Sequence, residues 1–190
     1  MSRRVKKIVL YSLLLFFLCR CRHKNILTCN EIERSYFRLT DSTLSNTIKK
    51  ENRQDIEISL ASNANCIVGY ISLADIFYNI DSVDKSYNLY RHALSIDSTN
   101  IYANYMCGLV NEISKSYQNS ITYYQRAISL KIKDGFIVNF NPNFADVSGS
   151  PTFDVSYSKL VLRRGICYYL SGDFLNSFYD LNYCINKREF

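Results

Sequence analysis

The sequence is poor in the residues that usually carry catalysis. Its 190 residues include two histidines, His23 and His92, and six glycines. No serine stands in a nucleophile-elbow pattern, and no glycine-rich loop resembles a phosphate-binding motif. The carboxylates are scattered, as is typical of helix caps and solvated helix faces. The sequence therefore predicts a protein that is not an enzyme and that holds no cofactor.

An excess of charge of one sign is also missing from most of the chain. The formal net charge is +6, but residues 1–24 hold seven basic residues and no acidic one, so residues 25–190 carry a net charge of −1. A nearly neutral body offers no basic face for phosphates, and we predict no nucleic-acid partner. A hydrophobic share of 47% with two prolines indicates a packed protein.

No apolar run at the N-terminus has the length of a membrane span. The run Ile8–Leu18 has eleven residues, which make a helix of roughly 16 Å, about half the hydrocarbon thickness of a bilayer. A basic start before such a run is the layout of a secretory signal. The cysteines that follow resemble those of a bacterial lipoprotein signal, with Cys19 and Cys21 as lipidation candidates, although a larger residue precedes each where that family has Gly, Ala or Ser.

We therefore interpret residues 1–24 as a signal, lipoprotein-like or membrane-anchor segment, which predicts a membrane-associated protein of the bacterial cell envelope. An uncleaved signal anchor, ordinary secretion and a soluble intracellular protein remain open as alternatives.

The seven cysteines do not form a closed set of disulfides, because their number is odd. Four of them fall at core positions of predicted helices, where free cysteine commonly packs. These four are Cys66, Cys107, Cys167 and Cys184. A metal cluster of Cys19, Cys21, His23 and Cys29 is an alternative for the others, but its spacing matches no familiar zinc pattern. We predict no metal site.

An internal repeat organises the second half of the chain. Residues 86–96, "SYNLYRHALSI", and residues 120–130, "SITYYQRAISL", place Ser, Tyr, Ala and an aliphatic residue at the same positions, and a third copy begins at Ser177. A small residue lies twelve positions before each shared serine: Ala74, Gly108 and Gly165. This spacing predicts two helices per unit that approach closely at the small residue. One such pair cannot bury its apolar face alone, so the units must stack.

These residues resemble the tetratricopeptide repeat, most closely in "RRGICYYLSGDF" at 163–174. Asp81 and Lys115 depart from the pattern, because the family has a turn glycine at their positions. The resemblance implies an all-α fold: a right-handed α-solenoid of about three helix pairs, with a non-helical insert before the last pair. A plain helical bundle is the alternative.

The domain organisation follows from this repeat. Residues 66–134 hold two units and residues 158–190 a third, separated by an irregular insert at 135–157 that contains both prolines. Residues 25–65 are predicted to form a helical leader that starts near Asp41, with a degenerate repeat as one interpretation. The chain also lacks a polar capping helix after the third unit, which we interpret as a sign of association.

The resemblance implies a peptide-binding groove lined by the first helix of each unit. Six candidates map to it: Tyr78, Tyr102, Tyr105, Lys159, Arg163 and Tyr169. Lys159 and Arg163 match the third-unit part of a carboxylate clamp found in the family, but Ile71, Asp75 and Met106 occupy the other clamp positions, so we predict no clamp.

The predicted function is a non-catalytic protein-interaction module, a scaffold or adaptor with a protein or peptide partner. The alternative is a structural subunit that self-assembles as a homo-oligomer, or that caps a larger envelope machine, through its terminal repeat and insert.

Overall fold

The computed structural model describes residues 26–32, 46–133 and 155–187, with side chains except at 46–52 and 133. These ranges hold seven helices of more than three turns and no strand. The helices are α1 (Asn46–Ser62), α2 (Ile67–Asn79), α3 (Val83–Ile96), α4 (Ile101–Ile113), α5 (Tyr117–Lys133), α6 (Tyr157–Leu170) and α7 (Phe174–Lys187). The predicted all-α fold is confirmed. The signal-like segment with Cys19 and Cys21, the predicted start near Asp41 and nearly all of the insert lie outside the described residues.

Small residues set the distance between the two helices of a pair, as the repeat predicts. At Gly108 of α4, an added Cβ would lie 2.5 Å from Cε1 of Tyr124 on α5. At Gly165 of α6, it would lie 2.9 Å from Cβ of Asp180 on α7. Real Cβ atoms do not approach other atoms this closely, so any larger residue at either position would push the helices apart.

The turn within each pair contains one residue in the left-handed conformation. Gly172 has φ +87°, and Asp81 and Lys115, which replace the family's turn glycine, have φ 60° and 57°. This conformation is disfavoured for residues other than glycine. The departures in sequence therefore keep the same turn geometry at the cost of local strain. Asp173 then caps α7, because its Oδ1 accepts from the backbone N–H of Asn176 at 3.2 Å.

Each helix makes its principal contacts with the helix before it and the helix after it in the chain. A continuous core follows this order from Ile71 to Cys184, and Tyr90 and Tyr124 are fully buried within it. The contact between α5 and α6 continues the series across the insert, so the third unit stacks on the second. This successive stacking is that of an α-solenoid.

The leading helix α1 packs on α2 over a smaller core that includes Ile56 and Leu60. Residues 26–32 are tied to it, because the backbone N–H of Leu27 donates to Oγ of Ser59 at 2.8 Å. The leader therefore covers the first face of the array. None of the helices in the described part of the chain combines the length and the hydropathy that a membrane span requires.

The prediction of a free thiol at Cys66 is wrong. Cys66 precedes α2 and forms a disulfide with Cys29, with their Cα atoms 5.5 Å apart. This bond also removes Cys29 from the alternative metal cluster. Sequence spacing missed the pair because the partners are 37 positions apart, and connectivity cannot be deduced from cysteine positions alone. Cys107, Cys167 and Cys184 are buried and form no disulfide, as predicted.

Candidate functional site

The first-helix row of the array, formed by α2, α4 and α6, carries one buried and one half-buried acid, and each of them joins three helices. The first is Asp75 on α2, which is 4% exposed. Its Oδ1 accepts a hydrogen bond from the hydroxyl of Tyr90 on α3. The hydroxyl of Tyr102 on α4 also lies 3.1 and 3.2 Å from its two carboxylate oxygens. Asp75 thus links both helices of its own unit to the next unit.

Glu112 on α4 repeats this arrangement in the second unit. Its Oε2 accepts from the hydroxyl of Tyr124 on α5 at 2.8 Å, and its Oε1 accepts from Nη1 of Arg163 on α6 at 2.9 Å. Burial, followed by the Glu112 charge, raises the pKa of Tyr124, so this phenol stays protonated and donates. Burial, the largest single cause, would lower the pKa of Arg163, but the Glu112 carboxylate together with Tyr105 and Tyr124 outweighs it, so this pKa is raised. Arg163 therefore remains charged.

The two arrangements are offset along the helices by one turn. Tyr90 and Tyr124 are separated by the repeat length of 34, whereas Asp75 and Glu112 are separated by 37. The donor on the following unit shifts in the same direction. Lys159 of the third unit occupies the position that Tyr102 has in the second, but the donor is Arg163, four positions later. Both the acid and its donor move one turn, so the contact is preserved although the sequence register is not.

An aromatic and cationic surface surrounds these acids. Nζ of Lys159 lies 5.1 Å from the centre of the Tyr105 ring, and that ring lies 6.4 Å from the ring of Tyr102. Tyr78 belongs to the same neighbourhood: burial raises its pKa most, and Tyr105 and Glu112 raise it further while Arg163 lowers it. The structure thus brings together five of the six groove candidates. We call these five, namely Tyr78, Tyr102, Tyr105, Lys159 and Arg163, the first-helix cluster.

Members of the first-helix cluster differ in how much surface they present. Lys159 is exposed, and Tyr78, Tyr102 and Arg163 are half-buried. Tyr105 is 4% exposed and forms the floor beneath Lys159. The sixth candidate, Tyr169, is 59% exposed at the end of α6, where its ring packs 5.7 Å from that of Phe174 on α7. Tyr169 therefore lies beside the last helix rather than within the first-helix cluster.

Comparison with solved structures identifies this architecture. The crystal structure of MamA protein matches with a TM-score of 0.62 and 15% identity, over 87% of this chain and 74% of that chain. The crystal structure of PilW, described as a widely conserved type IV pilus biogenesis factor, matches with a TM-score of 0.56 and 17% identity, over 85% of this chain and 61% of that chain. Both neighbours are tetratricopeptide-repeat proteins. The chain has the tetratricopeptide-repeat fold. No protein-family model and no curated protein sequence matches it.

In the tetratricopeptide-repeat fold, the first helices line the inner face of the solenoid and the second helices line the outer face. The resemblance to this family therefore predicts that the first-helix cluster lies on the inner face. Within the third unit, Arg164 on α6 makes two hydrogen bonds to Asp180 on α7, from Nε at 2.8 Å and from Nη2 at 2.7 Å. Nη1 of Arg164 also donates to Gln125 on α5. This buried, bidentate pair is structural, because its polar atoms are directed at each other.

The second-helix row carries a concave surface that sequence reasoning missed. A depression of about 340 Å³ lies between α3 and α5. Its lining consists of Tyr87, Arg91, Asn119, Thr122, Tyr123 and Arg126. The hydroxyls of Tyr87 and Tyr123 lie 3.3 Å apart across it. Two arginines and two tyrosines at nearly the repeat spacing are the signal that could have located it.

Two observations on the described residues concern metal binding and thiol chemistry. In residues 26–32, 46–133 and 155–187, no group of three His, Cys, Asp or Glu side chains is placed to hold a metal ion. Burial raises the pKa of both Cys107 and Cys167 to about 12. Because the thiolate is the reactive form of cysteine, these two thiols are chemically inert at neutral pH.

Proposed function

We propose that this chain is a non-catalytic scaffold or adaptor that binds a peptide segment of a protein partner on the inner face. The first-helix cluster carries this proposal. Its acidic neighbours Asp75 and Glu112 already accept hydrogen bonds from tyrosine and arginine. Lys159 is exposed above the buried ring of Tyr105, and Tyr78 and Tyr102 of the same cluster are half-buried. Such a surface suits aromatic and apolar side chains that stack on tyrosine, with Lys159 donating to a carbonyl or carboxylate of the peptide.

Capture of the partner in the native cells tests this proposal. The full chain carries a tag, is cross-linked in place, and its partners are identified by mass spectrometry. We expect Lys159→Glu and Tyr78→Ala each to reduce recovery of the main partner at least about tenfold, since groove contacts of this kind dominate binding. Lys85→Glu is the matched control, because Nζ of Lys85 also lies over a ring, 5.2 Å from the centre of Phe77, but on the second-helix row. Equal recovery from all three variants would overturn the inner face as the binding site.

We further propose that the chain is exported and anchored in the bacterial cell envelope. Three observations support this. Disulfides persist in oxidising compartments outside the cytoplasm, and Cys29 is bonded to Cys66. Residues 1–24 have the charge and hydropathy layout of a lipoprotein-like signal. The structural neighbour PilW is described as a pilus biogenesis factor. Lipidation of Cys19 or Cys21 would supply the anchor.

Two measurements on the full chain test this localisation. Labelling with a palmitate analogue should modify the wild-type chain and fail in Cys19→Ala or in Cys21→Ala, whichever cysteine carries the lipid. No incorporation into the wild type would exclude a lipoprotein, and membrane recovery without incorporation would indicate a signal anchor. Alkylation of cell lysates under acid quench should find Cys29 and Cys66 oxidised. A reduced pair in growing cells would contradict export.

A further inference from the structure

The depression between α3 and α5 holds two arginines that lack an acidic partner. Arg91 of α3 and Arg126 of α5 line it, and its lining contains no acidic side chain. The structure describes five arginine side chains, and Arg53, Arg163 and Arg164 each pair with a carboxylate. Within the described part of the chain, Arg91 and Arg126 have no such pair. Their guanidinium groups are therefore available to an anion from outside the chain.

The two helices that form the depression are strongly basic for this chain. Together α3 and α5 hold five basic residues and one acidic residue, Asp84, which does not line the depression. Because residues 25–190 carry a net charge of −1 in total, the rest of that range carries −5. The near-neutrality from which the sequence predicted no basic face therefore conceals a basic region on α3 and α5, which attracts anions.

Tyr87 and Tyr123 add a hydrogen-bond donor to the two guanidinium groups. Their half-buried rings meet edge to face, with centroids 6.4 Å apart. One hydroxyl donates to the other across 3.3 Å, so the accepting hydroxyl keeps its own proton for a further acceptor. Burial, followed by the hydrogen bond with Tyr87, raises the pKa of Tyr123, so this phenol is not ionised at neutral pH. Cζ of Arg91 lies 5.8 Å from the centre of the Tyr87 ring, which holds this guanidinium group against the depression.

We propose that the depression between α3 and α5 binds the carboxylates of an acidic segment of a protein partner. Arginine meets a carboxylate with two parallel N–H donors, and arginine clusters recognise acidic motifs in this way. A nucleic acid would require a basic track that contacts many successive phosphates. A bilayer surface is flat on this scale and does not enter a depression. The site lies on the second-helix row and does not depend on peptide binding by the first-helix cluster.

Fluorescence anisotropy of a fluorescein-labelled hexaglutamate peptide with the purified full chain tests this site. Low ionic strength is used, because salt screens contacts between exposed charges. The double variant Arg91→Gln with Arg126→Gln should weaken binding at least about tenfold, since it removes both charge-assisted contacts. The matched control is Lys85→Gln with Lys131→Gln, which removes the same charge from the same two helices outside the depression. We expect the control to weaken binding less than about threefold. Circular dichroism checks that every variant is folded.

A third variant separates this site from the inner face. Lys159→Gln should leave hexaglutamate binding unchanged, because Lys159 belongs to the first-helix cluster. Failure of the peptide site on the inner face would therefore leave this result intact. If Lys159→Gln abolished binding and the double arginine variant did not, the acidic peptide would bind on the inner face, and the proposal would be wrong.

Three further outcomes would also overturn the proposal. Equal weakening by the double arginine and double lysine variants would show general attraction to basic helices rather than a site. No binding by the wild type up to about 1 mM protein would show that the depression does not recognise carboxylates. Tighter arginine-dependent binding of oligothymidine or of phosphatidylglycerol vesicles than of hexaglutamate would assign the depression to a nucleic acid or to a membrane.

Discussion

Arg163 on α6 donates from Nη1 to Oε1 of Glu112 on α4 at 2.9 Å, and the two residues are 51 positions apart in the chain. The insert lies between them, so this ion pair closes the array where the sequence repeat is interrupted. The same carboxylate accepts from Tyr124 of its own unit. Glu112 therefore controls both the packing within the second unit and the attachment of the third.

Replacement of Glu112 by alanine should destabilise the protein by about 2–3 kcal/mol, because it leaves a partly buried guanidinium and a buried phenol without their acceptor. The matched control is Glu57→Ala, which breaks an exposed i,i+4 pair with Arg53 at 3.5 Å. We expect less than about 0.5 kcal/mol from the control. Urea unfolding followed by circular dichroism measures both values. Equal losses would show that the Glu112 network contributes no more than a surface pair.

Gly108→Ala should cost about 2 kcal/mol, although alanine favours helices. The new Cβ would lie 2.5 and 2.7 Å from Cε1 and Cδ1 of the Tyr124 ring, and overpacking of this kind forces side chains and backbone to shift. Tyr124→Leu removes the ring atoms that clash, so the double variant should lose less than the sum of the single losses by at least about 1 kcal/mol. A thermal unfolding double-mutant cycle measures this coupling. If the two losses in stability were strictly additive, the cost of Gly108→Ala would not arise from contact with the Tyr124 ring.

The turn residues in the left-handed conformation predict that two substitutions change the stability of the protein in opposite directions. Lys115→Gly should stabilise the protein by up to about 1 kcal/mol, since glycine accepts φ 57° without strain. Gly172→Ala should destabilise it by about 1 kcal/mol, although no atom lies within 4 Å of the added Cβ, because the backbone at φ +87° is strained for alanine. Chemical denaturation of the two variants beside the wild type gives both values. The same sign for both would contradict turn strain as the cause.

The repeat predicted the helix pairs well because the periodic small residues lie where the two helices of a pair approach each other most closely. Gly108 and Gly165 lie in helices at close approaches, and Gly172 ends α6 in the left-handed conformation that the turn requires. These features depend on residues within one unit, which the sequence places next to each other. The resemblance to the family also predicted the stacking of the units, which the structural neighbours confirm.

The polar connections between units could not be predicted in the same way. Asp75 and Glu112 each accept a hydrogen bond from the following unit, but they differ by one helical turn in their position within the repeat. An alignment at 34 residues therefore does not superpose them. The disulfide of Cys29 joins the leader to the first unit, outside any repeat. The exposure of Phe178 depends on the absence of a further helix among the described residues, whereas its register equivalent Ile121 is buried. In each case the deciding contact is made with a partner that the repeat pattern does not specify.

The buried thiols predict a dependence on pH. Cys107 and Cys167 have pKa values raised from 9.0 to about 12, chiefly by burial. The unfolded state loses these protons first, so their contribution to stability is complete below pH 9 and is lost as the pH rises from about 9 to about 12. At pH 8 neither thiol should react with an alkylating reagent in the native protein, and both should react within minutes in denaturant. Residue-level mass spectrometry checks this, and rapid native alkylation of either cysteine would contradict the burial.

The bond between Cys29 and Cys66 should account for much of the stability of the N-terminal end. It closes a loop of 37 residues, and cross-linking a loop of this length restricts the unfolded chain by about 3–4 kcal/mol. Without it, residues 26–32 are held to α1 by the apolar contacts of Ile32 and by a few hydrogen bonds, such as that from Nδ2 of Asn63 to the carbonyl oxygen of Leu27 at 2.9 Å. The variant with both Cys29→Ala and Cys66→Ala should therefore unfold at lower temperature and lose amide protection in α1 before α4. A reductant should produce the same change in the wild type and no change in the double variant. If the reductant lowered the stability of both proteins equally, the effect would have to come from a cysteine other than these two.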